Sequence, residues 1–516
     1  AMKYFVVFCA FFLCHPLLTA QSVKILESRM LNMQGLEIKQ NFATEEGVTL
    51  VFKKKATSRK PKEDVWIVKF FDVDLEEQWS LEVVLPLGKK RRYARQLSKV
   101  RNGILYMLLY HSNGAQGKWI EISLADHRKS ERFVKLPNPD GIQDMILYEK
   151  GAYFVFKKRA MQPNSDLVFA SEMPLINDDY ARVIHWNYDD EAVKMVLLEQ
   201  TSIRYRLRLV EDERSGTVYC LYVFFVDNQY SFVVKKLKGG EVVAEDRFDL
   251  EDSRFVNFDV LSTTDGRLLV CGTFDTKDAK ASGLIKLPVG LFYAWVEQGT
   301  IGEVVFKKFH ALENAADFYE DKVNVEQLQK TNASKRLSHL TSYGAPFSID
   351  DAYFFPLDIG NRFLYTKQQR YIAEANLLTS ISWENSYLIQ IGSGEDAVRD
   401  IKTLSRDDLN KAKNVRFTNE MNVWAATCQQ LVDNRLFVLS IIGEHLYVRR
   451  VWPEDGEARQ TGSFFWPGEK NYTVSHPETL VFRPWLKKTF LFSALVKRGR
   501  GRTKGGLEYR MMKIGL

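Results

Sequence analysis

One small device keeps returning along this chain: a turn residue, usually Gly or an Asp/Asn-Gly pair, followed at once by apolar, β-branched or aromatic residues. Gly47 leads into Val48-Thr49-Leu50-Val51-Phe52, and Gly103 into Ile104-Leu105-Tyr106-Met107-Leu108. Gly151 leads into Ala152-Tyr153-Phe154-Val155-Phe156, Gly216 into Thr217-Val218-Tyr219-Cys220-Leu221, and Asp265-Gly266 into Arg267-Leu268-Leu269-Val270-Cys271. Runs of this length and composition are strands, and the glycine ahead of each supplies a backbone angle that a tight turn needs. The intervals 47 to 103, 103 to 151, 151 to 216 and 216 to 266 can each hold a four-stranded unit of roughly 40–50 residues. Repetition on that scale predicts an array of small antiparallel sheets, and a β-propeller is the closed form of such an array.

The pattern continues through Gly302-Glu303-Val304-Val305-Phe306 and then breaks. Residues 311–340 are polar and helix-permissive, so a helical insertion is expected there, centred on Leu312 to Lys330. Strand signals resume at Gly360-Asn361-Arg362-Phe363-Leu364, at Asp433-Asn434 and in the terminal hairpin around Thr489 to Ile514. Counting these openings gives an all-β chain folded as a single β-propeller of seven or eight blades. No Pro/Gly/Ser-rich linker divides residues 21–516, which are taken as one propeller domain.

Residues 1–20 have the anatomy of a secretory signal: Lys3, an apolar run from Tyr4 to Leu13, Pro16, and Leu18-Thr19-Ala20 ahead of Gln21. Export to the periplasm or beyond is therefore expected. No later apolar stretch is long enough for a membrane-spanning helix, and apolar residues on both strand faces, as in Tyr219 to Val226, suit stacked sheets better than an outer-membrane barrel.

Lys and Arg total 72 against 65 Asp and Glu, a net charge of +7. The positive residues gather in Lys53-Lys54-Lys55 with Arg59, Lys60 and Lys62, in Lys89-Lys90-Arg91-Arg92, and in Lys497-Arg498 with Arg500, Arg502 and Lys504. Each group falls where a strand pattern stops, which reads as solvated hairpin tips that also discourage edge pairing. Acidic residues intervene throughout, and an exported chain is not expected to meet nucleic acid.

Chemistry is scarce. There is no Gly-x-Ser-x-Gly elbow, no His-Glu-x-x-His, no phosphate loop and no dinucleotide fingerprint, so no catalytic, cofactor-binding or metal-ligating residue is assigned. His185 and His445 lie in strand patterns and read as packed or hydrogen-bonded. The acidic pairs Asp72/Asp74, Asp178-Asp179, Asp189-Asp190 and Asp407-Asp408 lack calcium-loop spacing and read as solvated loops. Asn332-Ala333-Ser334 and Asn471-Tyr472-Thr473 match glycosylation acceptors in form only. Beyond the leader, Cys220, Cys271 and Cys428 are too few and too far apart for a disulfide scaffold. Trp66, Trp119 and Trp424 sit inside strand patterns as core. Trp452, Trp466 and Trp485 lie beside prolines, where loops could present their rings to a sugar face or a partner; these three are the candidate binding residues.

The segment Asp265-Gly266-Arg267-Leu268-Leu269-Val270-Cys271-Gly272-Thr273-Phe274 with Ser282-Gly283-Leu284-Ile285 is similar to a broad group of exported proteins of Bacteroidota bacteria. So is Gly360-Asn361-Arg362-Phe363-Leu364-Tyr365-Thr366-Lys367-Gln368-Gln369 with Tyr387-Leu388-Ile389-Gln390-Ile391, except that Gln368-Gln369 stands where that group carries Glu-Gln. The resemblance spans residues 255–450 and implies a propeller-like fold and an exported location, with no catalytic residues to carry over.

Two functions fit these observations. The first is a non-catalytic binding or scaffold propeller of the cell envelope that presents one face to a protein partner. The second is a secreted glycan-binding or glycan-cleaving propeller that uses acidic and aromatic residues in its central funnel. Carboxylates converging at the ring axis would favour the second; the absence of a catalytic motif favours the first.

Overall fold

A computed structural model describes residues 24–516 apart from 57–61, 87–93, 112–115, 137–141, 158–180, 190, 198–205, 213, 227–228, 251–252, 277–289, 313–334, 344–345, 350–351, 367–376, 393–397, 405–424, 433–434, 443–444, 453–458, 464–471, 499–505 and 516. The expected leader, residues 1–20, lies outside them, as do Trp424 and Trp466.

The described residues form eight antiparallel sheets, numbered here in chain order. Sheet one is Leu36–Ala43, Val48–Lys54, Glu63–Phe71 and Glu77–Pro86. Sheet two is Ala94–Arg101, Ile104–His111, Gln116–Ser123 and Lys129–Lys135. Sheet three is Ile142–Tyr148, Gly151–Lys157, Ala181–Asn187 and Val193–Leu197. Sheet four is Arg206–Asp212, Thr217–Val226, Gln229–Lys238 and Glu241–Leu250. Sheet five is Ser253–Ser262, Leu268–Thr276, Gly290–Glu297 and Thr300–Lys308. Sheet six is Lys335–Tyr343 with Phe347–Ile349, then Ala352–Thr366, Leu377–Ile391 and Val398–Leu404. Sheet seven is Ala425–Val432, Arg435–Ile442, His445–Trp452 and Arg459–Ser463. Sheet eight is Tyr472–Pro484, Thr489–Arg498 and Leu507–Gly515, completed by the N-terminal strand Lys24–Asn32.

Each sheet is a meander, and neighbouring sheets pack face to face through the alternate residues of their strands. Val68 meets Met107 and Ile120 between sheets one and two, and Trp119 meets Phe154 and Trp186 between two and three. Tyr153 joins Val218 and Val233 between three and four, Phe232 joins Phe258 and Phe292 between four and five, and Tyr293 joins Phe355 and Tyr387 between five and six. Phe354 and Leu388 pack on Leu436 and Val438 between six and seven. Leu50 and Phe52 of sheet one pack on Leu491 and Tyr509 of sheet eight. The first strands of sheets one to five touch in succession, as do those of sheets seven and eight, so they converge on a common axis. The sheets therefore close on themselves, and the fold is the expected all-β propeller.

Closure uses both ends of the chain. Lys24–Asn32 pairs antiparallel with Leu507–Gly515 and becomes the outermost strand of sheet eight. A polar seam then ties sheet eight to sheet one. Asn41 donates to Ser493 Oγ (2.8 Å) and Tyr509 Oη (3.0 Å), while Arg483 Nη2 donates to Asn41 Oδ1 (2.8 Å). Lys513 Nζ reaches the Val73 carbonyl at 2.9 Å and Asp74 at 3.2 Å.

The recurring turn is the connection between the first and second strands of a sheet. Gly103, Gly216 and Gly266 adopt the left-handed angles +69°, +61° and +86°, which glycine takes at no steric cost. In sheet eight the same place is taken by Lys488 (φ 60°). One expected opening is different. Gly360 is not a turn but sits at a β-bulge inside the long strand Ala352–Thr366, where the pairing with Leu377–Ile391 slips by one residue. The reading of 311–340 as a helical insertion also needs correction at both ends. Phe309–Ala311 is a single 3₁₀ turn, residues 313–334 lie outside the described residues, and 335–340 belong to the strand Lys335–Tyr343, held by pairing to Leu357–Tyr365.

Candidate functional site

The two rims of the ring differ. The rim at which first strands end carries tight turns: 102–103, 149–150, 239–240, 298–299 and 433–434, with nothing longer than 392–397 or 453–458. At the rim where first strands begin, the strands flanking 158–180, 277–289, 313–334, 367–376 and 405–424 end and resume, and those segments lie outside the described residues.

Of the basic stretches, Lys53 and Lys54 end the strand Val48–Lys54 at this rim and Lys497 and Arg498 end Thr489–Arg498 there, while 57–61, 89–92 and 499–504 lie outside the described residues. Lys53 is not a solvated tip, however. Its ammonium bonds to buried Asp64 at 2.9 Å and lies 5.2 Å from the centre of the Trp66 ring. Lys54 and Lys55 beyond it are exposed.

The axis is lined by pairs of opposite charge. Lys99 of sheet two meets Asp144 of sheet three at 3.3 Å, and Arg208 of sheet four meets Asp259 of sheet five at 3.5 Å. At the tight-turn rim Arg101 donates to the Leu147 carbonyl and to Glu211, both at 2.5 Å, and so spans from sheet two to sheet four over the end of sheet three. Gln96 donates to Gln40 Oε1 at 2.8 Å. Each of these inner-strand carboxylates faces a cation from another sheet. Among the described residues no group of three or more His, Cys, Asp or Glu could hold a metal ion.

A second polar cluster went unread in the sequence. Between sheets two and three, Glu121 Oε1 accepts from Trp119 Nε1 (2.9 Å) and Arg132 Nη2 (3.1 Å), while Oε2 accepts from Ser130 (3.2 Å). The Arg132 guanidinium lies 5.8 Å from the rings of both Trp186 and Tyr188 and donates to the Tyr188 carbonyl at 3.3 Å. Tyr106 stacks on Tyr188 at 6.4 Å. Burial, then the negative charge of Glu121, pushes the Tyr106 hydroxyl above its usual range; Tyr188 rises further, again chiefly by burial. Both phenols are thus neutral packing groups. The available signal was the alternation Trp119-x-Glu121 and Trp186-x-Tyr188, but only the packing of sheet two on sheet three brings the two together.

Of the three candidate tryptophans, Trp485 is the one whose side chain is described. Trp452 ends a strand at the tight-turn rim, opposite Leu436. Trp485 is at the same rim in sheet eight, where its Nε1 donates to the Thr44 carbonyl at 2.7 Å and the Lys513 ammonium lies 5.9 Å from its ring. It is part of the seam with sheet one. Trp466 lies outside the described residues. His185 is buried as expected, bonded to the Tyr148 hydroxyl and packed on Tyr153. Asp72 organises its own turn, accepting from the amides of Asp74 (3.0 Å) and Glu76 (2.9 Å) and from Gln78 (2.6 Å). Cys220 and Cys271 are free and buried in sheets four and five. The side chains of His445 and Cys428 and the acidic pairs at 178–179 and 407–408 fall outside the described residues.

No family model matches the chain, and no curated protein does. Among solved structures, the polysaccharide lyase Uly1 superposes over 81% of this chain and 89% of its own, with a TM-score of 0.41 and 8% identity. A prolyl endopeptidase (TM-score 0.36, 10% identity) and the acylaminoacyl peptidase of Pyrococcus horikoshii (0.36, 10%) each match over 90% of this chain. The chain spans only 55% and 58% of those two peptidases. Likeness at this level says nothing of activity.

Proposed function

We propose that this chain is an exported, non-catalytic scaffold that holds a protein partner of the bacterial cell envelope on its long-connection rim. The observation that carries the reading is the asymmetry of the ring. Short connections join the strands at one rim, and the strand ends that flank 158–180, 277–289, 313–334 and 405–424 all lie at the other. The leader-like residues 1–20 and the resemblance to exported Bacteroidota proteins support the location. The cross-sheet pairing of Asp144, Glu211 and Asp259 with Lys99, Arg101 and Arg208 supports a structural axis over a reacting one. The basic stretches within 53–62, 89–92 and 497–504 favour an acidic partner surface.

Affinity capture from detergent-free envelope extracts, with the tag after Leu516, tests this. The expected result is one or two envelope proteins in stoichiometric yield, lost when 158–180 or 405–424 is exchanged for a short Gly-Asn turn and retained when Asp72 is changed. Capture indifferent to every exchange on the long-connection rim would overturn the reading. So would recovery of the chain alone together with binding on a glycan array, which is the result the glycan function requires.

A further inference from the structure

Of the two histidines whose side chains are described, His127 is exposed and His185 is buried. His185 lies on the third strand of sheet three, between Tyr153 on the second and Lys194 on the fourth. Its Nε2 bonds to the Tyr148 hydroxyl, and its ring centre is 4.8 Å from that of Tyr153. The tip of the last hairpin of sheet four, Lys238-Gly239-Gly240-Glu241, is seated on this ring. Gly240 donates its amide to Tyr153 Oη at 3.1 Å. A Cβ on Gly240 would lie 2.8 Å from His185 Nδ1, so the tip fits the imidazole only as glycine.

Charge along this seam between sheets three and four is balanced without His185. Among the described residues, Glu211 is held by Arg101 at 2.5 Å, Glu241 by Lys194 at 3.0 Å and Glu245 by Lys235 at 3.1 Å. The Lys235 ammonium lies 5.9 Å from the Tyr222 ring, which faces sheet three. Tyr148, Tyr153, Tyr222 and Cys220 are the other titratable groups packed there. A proton on His185 would add a fourth cation to three carboxylates, in a site closed to water. We propose that His185 is an acid-sensitive latch: its neutral ring seats the Gly239-Gly240 tip against sheet three, and its protonation lifts the tip. Burial disfavours the imidazolium in the seated form, whereas the lifted form gives the ring to water. The seated form thus binds fewer protons. Its advantage is complete above the ordinary imidazole range and is lost as pH falls below about 6.5, by up to about tenfold in the seated-to-lifted ratio per pH unit. The opening stays local. The exposed Lys194–Glu241 pair contributes little, and beyond the tip Val183, Val218 and Val233 join the sheets through apolar contacts that do not titrate.

Hydrogen exchange of the full chain, read by mass spectrometry from about pH 7.5 to about pH 5 and corrected for the intrinsic pH dependence of exchange, tests the latch. Protection over residues 236–243 is expected to fall by up to about tenfold per pH unit below about 6.5, while that of Ile104–His111 in sheet two holds. His185→Gln, neutral at every pH, is expected to abolish the fall. No decline, a decline shared equally by Ile104–His111, or one that persists in His185→Gln overturns the proposal. Should His185→Gln fail to fold, Lys194→Gln at the exposed end of the seam decides. It frees Glu241 to offset the imidazolium, so the fall is expected to move to lower pH; a fall that stays in place overturns the latch.

Discussion

At Asp265 one carboxylate organises an entire turn. Thr263 Oγ1 donates to it, the Arg267 guanidinium bonds to it at 2.7 Å, and the Arg267 amide caps it at 3.2 Å. Hydrogen bonding from Thr263, reinforced by Arg267, holds this carboxyl down at about 2. Because the folded value lies below the ordinary one, the stabilisation is complete above the usual carboxylate range and is lost as pH falls through the folded value. Asp265→Asn should therefore lower stability at neutral pH and flatten the acid limb between pH 3.8 and about 2, read as urea midpoints across that range. The adjoining glycines separate two kinds of demand. A Cβ on Gly266 would meet nothing closer than 3.8 Å, so Gly266→Ala incurs only left-handed strain, about 1 kcal/mol. A Cβ on Gly151 would lie 2.1 Å from the Trp186 carbonyl oxygen, and Gly151→Ala should cost clearly more in the same urea assay. Cys220 shows burial prevailing: its thiol is pushed up to about 12 against the opposing charge of Lys235, and Cys271 rises by burial, aided by Asp259. Neither should react with a thiol reagent at mildly alkaline pH until urea unfolds the sheets, and labelling mass spectrometry across the transition would check this.

At the scale of strands and sheets, the packing of sheet two on sheet three offers the sharpest test. Arg132→Ala would leave Glu121 without its cation in a half-buried site and uncover the Trp186 and Tyr188 rings. A loss of about 1–2 kcal/mol is expected, with a shift in tryptophan emission, whereas Arg208→Ala on the exposed axial pair should cost under about 1 kcal/mol. Legibility in the sequence divides at the same scale. Asp265-Gly266 and Gly103 announce themselves because a turn is written in neighbouring residues, and the runs after them alternate with the strand period. Gly360 misled because glycine serves a bulge as readily as a turn, and only the slip in pairing against Trp383 and Asn385 tells them apart. The Glu121–Arg132 group and the Arg101–Glu211 bridge were hidden because their members meet only through register and the stacking of sheets. Trp485 looked presentable beside Pro484, yet its indole is hydrogen-bonded to Thr44, which is distant in sequence and adjacent in the ring.

The whole molecule depends on one joint made from both ends of the chain. Lys24–Asn32 is largely exposed, so its contribution lies in the backbone bonds it gives to Leu507–Gly515 and in Arg29, which reaches Glu76 of sheet one at 3.1 Å. Removing residues 24–32 should lower the melting temperature and open the seam at Asn41, Ser493 and Tyr509. A synthetic peptide of that sequence, added in trans, should restore much of the loss, as read by calorimetry with and without peptide. The joint also orders events in time. The strand Lys24–Asn32 is made before any other in the ring, and its partner Leu507–Gly515 is made last. Sheets one to seven can form as their residues emerge, each from local hairpins, but the circle stays broken until Leu507–Gly515 has been made. Until then the chain is a row of hairpins with a loose leading end. Closing is thus a single late event that couples the first and last strands of the ring, and a chain truncated anywhere before Leu507 would remain an open arc.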